Sequence, residues 1–413
     1  MSGGAAVARI AVMYPTDPAG SRPSGIDSVI RGILKAAPPD LDYYLFGAST
    51  DVNERPLGVE ARVMIEDRPV RFLPLIELDS VTRPSRVPDV IRYMGALRTR
   101  IRRGSLALFD ILDFHRIEPA WFFRRDSRPQ NLVVHQDMSI LRNPDCDIMW
   151  RRAPWLYEIL EKRLYRGLDR IYCVRQTGVT RYQALYPELR DRFAFLPTWV
   201  DTSIFRPGPP AQHENRRAQL QSTLELPGAP RRFLVFVGRL DRQKDPQLLV
   251  RSFAEAHRRD PCLHLLLVGR GDLDAETQRA CASLGITDRV SFMGVQPRMR
   301  IAEVLRASDL FLMASAYEGM PIAVLEALAT GLPVVTKEVG EVGLVVNDGV
   351  SGRICTQRTP AAMADAIIGA LARREAMCGA PCEQAVASYS PERILGAVFD
   401  NHRRQAARAP EPN

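Results

Sequence analysis

The feature that most constrains this chain is an alternation of short, continuously apolar runs with segments of helical period. In the first half the runs are Ala8–Tyr14, Leu41–Phe46, Ala107–Leu112, Leu132–His135, Arg170–Val174 and Phe193–Pro197. In the second half they are Phe233–Gly238, His264–Gly269, Arg289–Met293, Leu310–Ala314 and Pro333–Thr336. Runs that are apolar throughout, rather than at alternate positions, predict strands buried on both faces, as in parallel sheets covered by helices. Helix-period segments lie between them: Ile26–Ala36, Trp150–Tyr165, Pro246–His257, Ala275–Leu284 and Ala361–Ala372. The pattern restarts after Phe205-Arg206-Pro207-Gly208-Pro209-Pro210, a proline-rich break. With 413 residues there is chain enough for two domains. The expected class is α/β, with two doubly wound, Rossmann-like domains over residues 1–206 and 207–389. A cleft between them would face the carboxyl ends of both sheets, and residues 390–413 would form a C-terminal helix and tail.

Several classes are set aside. No apolar run approaches the roughly 20 residues a spanning helix needs. The opening MSGGAAVARIAVMY has Arg9 inside its apolar stretch and no basic leader, so a cytoplasmic chain without a secretory signal is expected. The 7 cysteines are irregularly spaced and form no CxxC pair, which predicts reduced, mostly buried thiols rather than a disulfide framework or a zinc site. The net charge is +8, and Arg83–Arg103 alone carries seven arginines against one acid, Asp89. No aromatic interleaving accompanies them, so no nucleic-acid partner is expected. Within this stretch Val90, Met94, Leu97 and Ile101 make an apolar stripe, with Arg92, Arg98, Arg100, Arg102 and Arg103 on the remaining faces. The plain reading is a packed helix with a solvated basic face. The sharper one is peripheral docking on an anionic membrane, with Trp121-Phe122-Phe123-Arg124-Arg125 as either an interfacial anchor or core.

Two stretches of the second half carry chemistry. Ser315-Ala316-Tyr317-Glu318-Gly319-Met320-Pro321 follows a strand and opens an apolar helix, with Pro321 expected at its first position and Gly331 stopping it. Free N–H groups at such a terminus bind anions, while Glu318 and the in-helix Glu326 can accept from sugar hydroxyls. The plainer alternative has Glu318 capping the helix and Glu326 bonded to neighbouring backbone. Phe233-Leu234-Val235-Phe236-Val237-Gly238-Arg239-Leu240-Asp241-Arg242-Gln243-Lys244-Asp245-Pro246 places Arg239 and Lys244 between a strand and a helix, where a diphosphate would sit. A solvated surface pair is the alternative there. In the first half, Gly25-Ile26-Asp27 opens a helix after a Pro/Gly-rich loop, as a phosphate-side loop or an ordinary turn. His135 ends a parallel strand, as a cleft residue or a structural one, and His115 is a weaker candidate at the same kind of strand end. Asp145-Cys146-Asp147 has a metal-chelating spacing but stands in a first-half loop, and neither metal nor cofactor is expected.

Together with Gly269-Arg270-Gly271-Asp272 and Met293-Gly294-Val295, these motifs resemble the retaining glycosyltransferases of family GT4, which have the GT-B fold. The resemblance is dense over residues 230–355. It implies that Arg239 and Lys244 bind the donor diphosphate and that Glu318 contacts the donor sugar, with Gly319, Met320 and Pro321 close by. Glu326 would contact the ribose, and backbone near Val295 the nucleobase. Gly25 would stand beside the phosphate, and His135 would act on the sugar. The implied partners are a UDP-, GDP- or ADP-sugar and a hydroxyl acceptor, lipid-linked in many relatives, in polysaccharide or glycolipid synthesis at the inner face of a membrane. The alternatives are a GT-B epimerase and a catalytically silent sugar-nucleotide binder. Where the family often has Asn-Gly before Val-Asp, this chain has Thr198-Trp199-Val200-Asp201.

Overall fold

A computed structural model describes residues 7–20, 25–78, 87–102, 106–135, 154–228 and 231–408. The described residues divide into two units, one running to Pro197 and resuming at Pro391, the other spanning Thr198–Ser390. The expected break after residue 206 thus falls a little beyond the change of unit. The last helix belongs to the first unit rather than standing apart.

The first unit has eight strands: β1 (Ala8–Met13), β2 (Leu41–Ser49), β3 (Ala61–Ile65), β4 (Arg68–Glu77), β5 (Ile111–Phe114), β6 (Gln130–Val134), β7 (Arg170–Cys173) and β8 (Phe193–Phe195). Their order is β3-β4-β2-β1-β5-β6-β7-β8, parallel except that β3 runs antiparallel to β4. Edge strand β3 escapes a search for continuous apolar runs, whereas Phe72–Ile76 of β4 is such a run and is missing from the expected set. Edge strand β3 buries Val63 and Ile65 but leaves Met64 exposed, the period-two pattern of a one-sided strand. Strand β5 begins later than the expected Ala107, because pairing of Ile10 with Ile111 and of Met13 with Phe114 sets its register. The helices are α1 (Gly25–Ala36), α2 (Asp89–Arg102), α3 (Ile117–Phe123), α4 (Pro154–Tyr165) and α5 (Gln176–Leu185). Trp150, where α4 was expected to start, lies outside the described residues.

In the second unit, strands β9 (Arg232–Val237), β10 (Leu263–Val268), β11 (Val290–Gly294), β12 (Leu310–Met313), β13 (Val334–Lys337) and β14 (Gly352–Cys355) form one parallel sheet ordered β11-β10-β9-β12-β13-β14. Strand β10 is buried at every residue, and β12 and β13 likewise. Helices α6 (His213–Thr223), α7 (Pro246–Arg259), α8 (Asp274–Ser283), α9 (Arg298–Ala307), α10 (Ile322–Ala329), α11 (Pro360–Ala372), α12 (Arg374–Met377) and α13 (Ala380–Val386) accompany it. Helix α14 (Pro391–Ala406) returns to the first unit. There His402 bonds Tyr43 and Asp113, while Gln405 and Asn131 exchange amide hydrogen bonds. A buried polar network of this kind is satisfied in one docking register only, and so specifies where α14 lies.

Candidate functional site

Each sheet has a point where consecutive strands run off in opposite directions, and loops leaving neighbouring strands part there to open a crevice at the carboxyl ends. In the second unit it lies between β9 and β12. The loop after β9 carries Arg239 and Lys244, and the loop after β12 carries Glu318, so sheet order brings together two motifs 74 residues apart. Lys244 Nζ donates to Glu318 Oε1 at 2.6 Å, with Glu318 only 6% exposed. Glu318 does not cap the helix, and Lys244 is not a solvated surface charge, whereas the exposed Arg239 fits the solvated alternative. Asp241 builds the loop beneath it, accepting from Lys244 N at 3.0 Å and pairing with the exposed Arg239 at 3.0 Å. Asp245 then turns the chain into α7. It takes a left-handed φ of 49°, which Asp tolerates, and accepts from Leu248 N as the helix cap.

The loop ends are held by backbone. Gly269 has φ 130°, and a Cβ there would fall 1.9 Å from the Gly238 carbonyl. Gly340, at φ 54°, brings its segment against the Glu318–Gly319 loop, where Glu341 N donates to Gly319 O at 2.9 Å. Met320 is buried, and its carbonyl accepts from Thr198 Oγ1 at 3.2 Å. Pro321 stands one residue before α10 as its cap rather than inside the helix. Val295 is exposed just beyond β11.

Glu326, in the middle of α10, is partly exposed, and among the described residues its carboxylate accepts no hydrogen bond. The neighbouring-backbone alternative is therefore not what is observed. Burial pushes its carboxyl up to about 7. The Arg298 guanidinium pulls it down and Asp201 pushes it up, and Arg298 and Asp201 face each other at 3.6 Å. Sequence reasoning assigned no role to Asp241, Arg298 or Asp201, and it took Thr198 only as a departure from a pattern. Their signal was position, immediately beyond a strand end or a unit boundary.

In the first unit the corresponding point lies between β1 and β5. Gly25 is the first residue of α1; a Cβ there would meet nothing within 4 Å, so no crowding demands glycine. His115 follows β5 and His135 follows β6, and the two rings are bonded, Nδ1 of His115 to Nε2 of His135, at 3.0 Å. The weaker histidine candidate and the stronger one form a pair.

The basic segment departs from expectation. Tyr93 and Leu97 are the buried face of α2, with Ile101 packed against the core. Arg92 pairs with Asp89, and Arg100 donates to the Gly58 carbonyl, so two of the five arginines are held by their own unit. Arg98 is exposed, whereas Arg83 and Arg103 lie outside the described residues. Phe123 is buried and Trp121 and Phe122 pack on the same core, which favours the core reading of that stretch. The guanidinium of Arg124 stacks on Trp121 at 4.5 Å. No helix among the described residues is long and apolar enough to cross a membrane. Cys173, Cys281, Cys355 and Cys382 are buried as expected, but Cys262 is exposed. Asp145-Cys146-Asp147 and Gln136 lie outside the described residues.

Comparison with known proteins defines the class first. The sucrose-phosphate synthase of Thermosynechococcus elongatus superposes with a TM-score of 0.77 at 20% identity, covering 97% of this chain and 99% of that one. HepE from Anabaena, in complex with UDP-glucose, gives 0.70 at 16% identity, with 96% and 99% covered. The catalytic domain of starch synthase IV from Arabidopsis thaliana, bound to ADP and acarbose, gives 0.69 at 15%, with 98% and 99% covered. The fold is GT-B, as the alternating pattern and motifs imply. Residues 225–379, within the second unit, match the family model described as Glycosyl transferases group 1. A D-inositol 3-phosphate glycosyltransferase of Nocardia farcinica is 35% identical over 227 residues, 53% of this chain and 48% of the relative. The protein of the same name in Mycolicibacterium smegmatis is 28% identical over 268 residues, 63% and 59% respectively. The chain thus spans about half the length of the curated relatives it matches.

Proposed function

We propose that this protein transfers a sugar from a nucleoside-diphosphate donor to a hydroxyl acceptor, with retention at the anomeric carbon. The observation that carries the reading is the carboxylate of Glu326, partly buried on α10 without a hydrogen-bond donor among the described residues, on the helix that follows the Glu318 loop. A buried carboxylate is costly unless something donates to it, and the vicinal hydroxyls of a ribose do so. Lys244, with Arg239 behind it, meets the diphosphate as negative charge builds on the leaving oxygen. Glu318, oriented by Lys244, accepts from the donor sugar's hydroxyls. Gly319 and Met320 supply close backbone, and Val295 marks the nucleobase side. In the transfer, the bond from the anomeric carbon to the phosphate oxygen breaks while the acceptor oxygen bonds on the same face. The acceptor's proton leaves with the departing diphosphate. The protein's part is positioning and charge stabilisation. In the first unit, His135 is the residue we propose for action on the sugar and Gly25 the one proposed for the phosphates.

The relatives' name makes a phosphorylated cyclitol the first acceptor to try, and the solved neighbours' ligands make UDP- and ADP-sugars the first donors. Release of nucleoside diphosphate is to be followed for UDP-, GDP- and ADP-sugars with and without inositol 3-phosphate, and the product's anomeric configuration read by NMR. Acceptor-dependent release with retention is expected. Inversion, or release indifferent to every acceptor, would overturn the reading.

A further inference from the structure

The two histidines at the carboxyl end of the first unit's sheet come from neighbouring strands, β5 and β6, which pair in parallel up to Phe114 and Leu132. His115 is 3% exposed, its ring edge-on to Tyr14 with centroids 6.3 Å apart. His135 is partly exposed, and the planes of the two imidazoles differ by 24°. Burial pushes His115 down to about 4, against the pull of Asp113. His135 lies well below the usual histidine range through burial, with His115 and Arg116 adding to it. The other charged or titratable groups around the pair are Tyr14, Asp27 and Glu118, the last holding Arg116 by two hydrogen bonds of 3.1 and 2.9 Å. Both rings are therefore neutral near pH 7, and each carries one N–H.

A hydrogen bond between two neutral imidazoles holds one proton in the bridge. If His115 supplies it, His135 must carry its own proton on Nδ1 and offers a donor there. If His135 supplies it from Nε2, its Nδ1 is a bare acceptor. Either way the ring nitrogen left for a ligand is Nδ1, which has no partner among the described residues. We infer that His115 is a positioning residue, whose Nδ1 engages Nε2 of His135, so that this ring keeps a single orientation with its Nδ1 left for the ligand. This rests on the reading that His135 acts on the donor sugar, but the hydrogen bond can be measured without turnover.

Two substitutions separate this role from packing. His115→Asn places an amide near the lost Nδ1, able to donate or accept. His115→Phe keeps the ring and its edge contact with Tyr14 but has no polar atom. Ring-nitrogen NMR on the full chain with 15N-histidine should show Nε2 of His135 hydrogen-bonded in the wild type and in His115→Asn, and shifted by loss of that bond in His115→Phe. In parallel, kcat should fall roughly 10- to 100-fold in His115→Phe with donor KM little changed, and recover to within about threefold in His115→Asn. A purely structural His115 gives the reverse order, with Phe tolerated and Asn damaging. A wild type whose His135 Nε2 is not hydrogen-bonded, or a folded His115→Phe protein in which that nitrogen keeps its wild-type shift, overturns the proposal even if one variant fails to fold. Wild-type turnover in His135→Ala would instead sink the assignment of His135 to the sugar, and the hydrogen-bond result would stand apart from it.

Discussion

Replacing Glu326 by Gln should make the empty protein more stable at alkaline pH while damaging donor use. Desolvation raises this carboxyl from its ordinary 4.5 to about 7. A folded-state value above the unfolded one means that the stabilising contribution of the proton is full below 4.5 and lost as pH rises through 7. At about pH 8.5 the wild type holds an ionised, unbonded carboxylate in α10, against which the shift sets an upper cost of roughly 3 kcal/mol. The group is partly exposed, so roughly 1–3 kcal/mol is the working range, worth a few degrees in the melting of a unit this size. The glutamine variant lacks that ionisation. Thermal melts from about pH 4.5 to 8.5 should therefore show the two proteins converging in acid and the variant ahead in alkali. Calorimetry with UDP at about pH 8 should show the opposite preference, the variant binding roughly ten- to a hundredfold more weakly, because it loses charge-assisted bonds to ribose hydroxyls. A stability difference that does not change with pH would refute the burial argument. A more stable variant with wild-type UDP affinity would refute the ribose assignment.

Lys244→Met should lower donor turnover by roughly ten- to a hundredfold and destabilise the second unit, because it leaves Glu318 buried without its cation. Adding Glu318→Gln should return the melting temperature toward wild type without returning turnover, and a double variant no more stable than Lys244→Met would show that the ion pair does not govern stability. Arg239→Ala should cost less than Lys244→Met, since Arg239 is largely exposed and already paired with Asp241; equal losses in kcat/KM would place both cations equally on the diphosphate. His135→Ala should lower kcat while leaving nucleotide binding by calorimetry near wild type, and equal turnover would make His135 structural. Turnover should survive EDTA, because Lys244 and Arg239 bring positive charge to the diphosphate; loss restored by Mg²⁺ or Mn²⁺ would refute this.

How much of this was legible in the chain follows from how far each determinant reaches. Strand β12 is apolar throughout and β9 and β10 are apolar at all but one residue each, Arg232 and His264, a local property, so their positions and the parallel α/β class could be read directly from the residues. The loop–helix stretch from Ser315 to Gly331 and the strand–loop–helix stretch from Phe233 to Pro246 were legible for the same reason. Each packs its chemistry into a contiguous segment beyond a strand end. Edge strand β3 was missed because its side chains alternate between buried and exposed, whereas β4, buried from Phe72 to Ile76, was legible and left out. Strand β5 was misplaced because its register is decided by pairing with β1, not by its own residues. Partnership was decided only in three dimensions. Lys244 meets Glu318 because β9 and β12 are neighbours in the sheet, and His115 meets His135 because β5 and β6 are. Glu326 is left without a hydrogen-bond donor among the described residues by what packs around α10, and the return of α14 to the first unit depends on His402 meeting an aspartate 289 residues earlier. Apolar periodicity writes the elements into the sequence, whereas the strand order that places their ends side by side arises from packing whole helices against whole sheets.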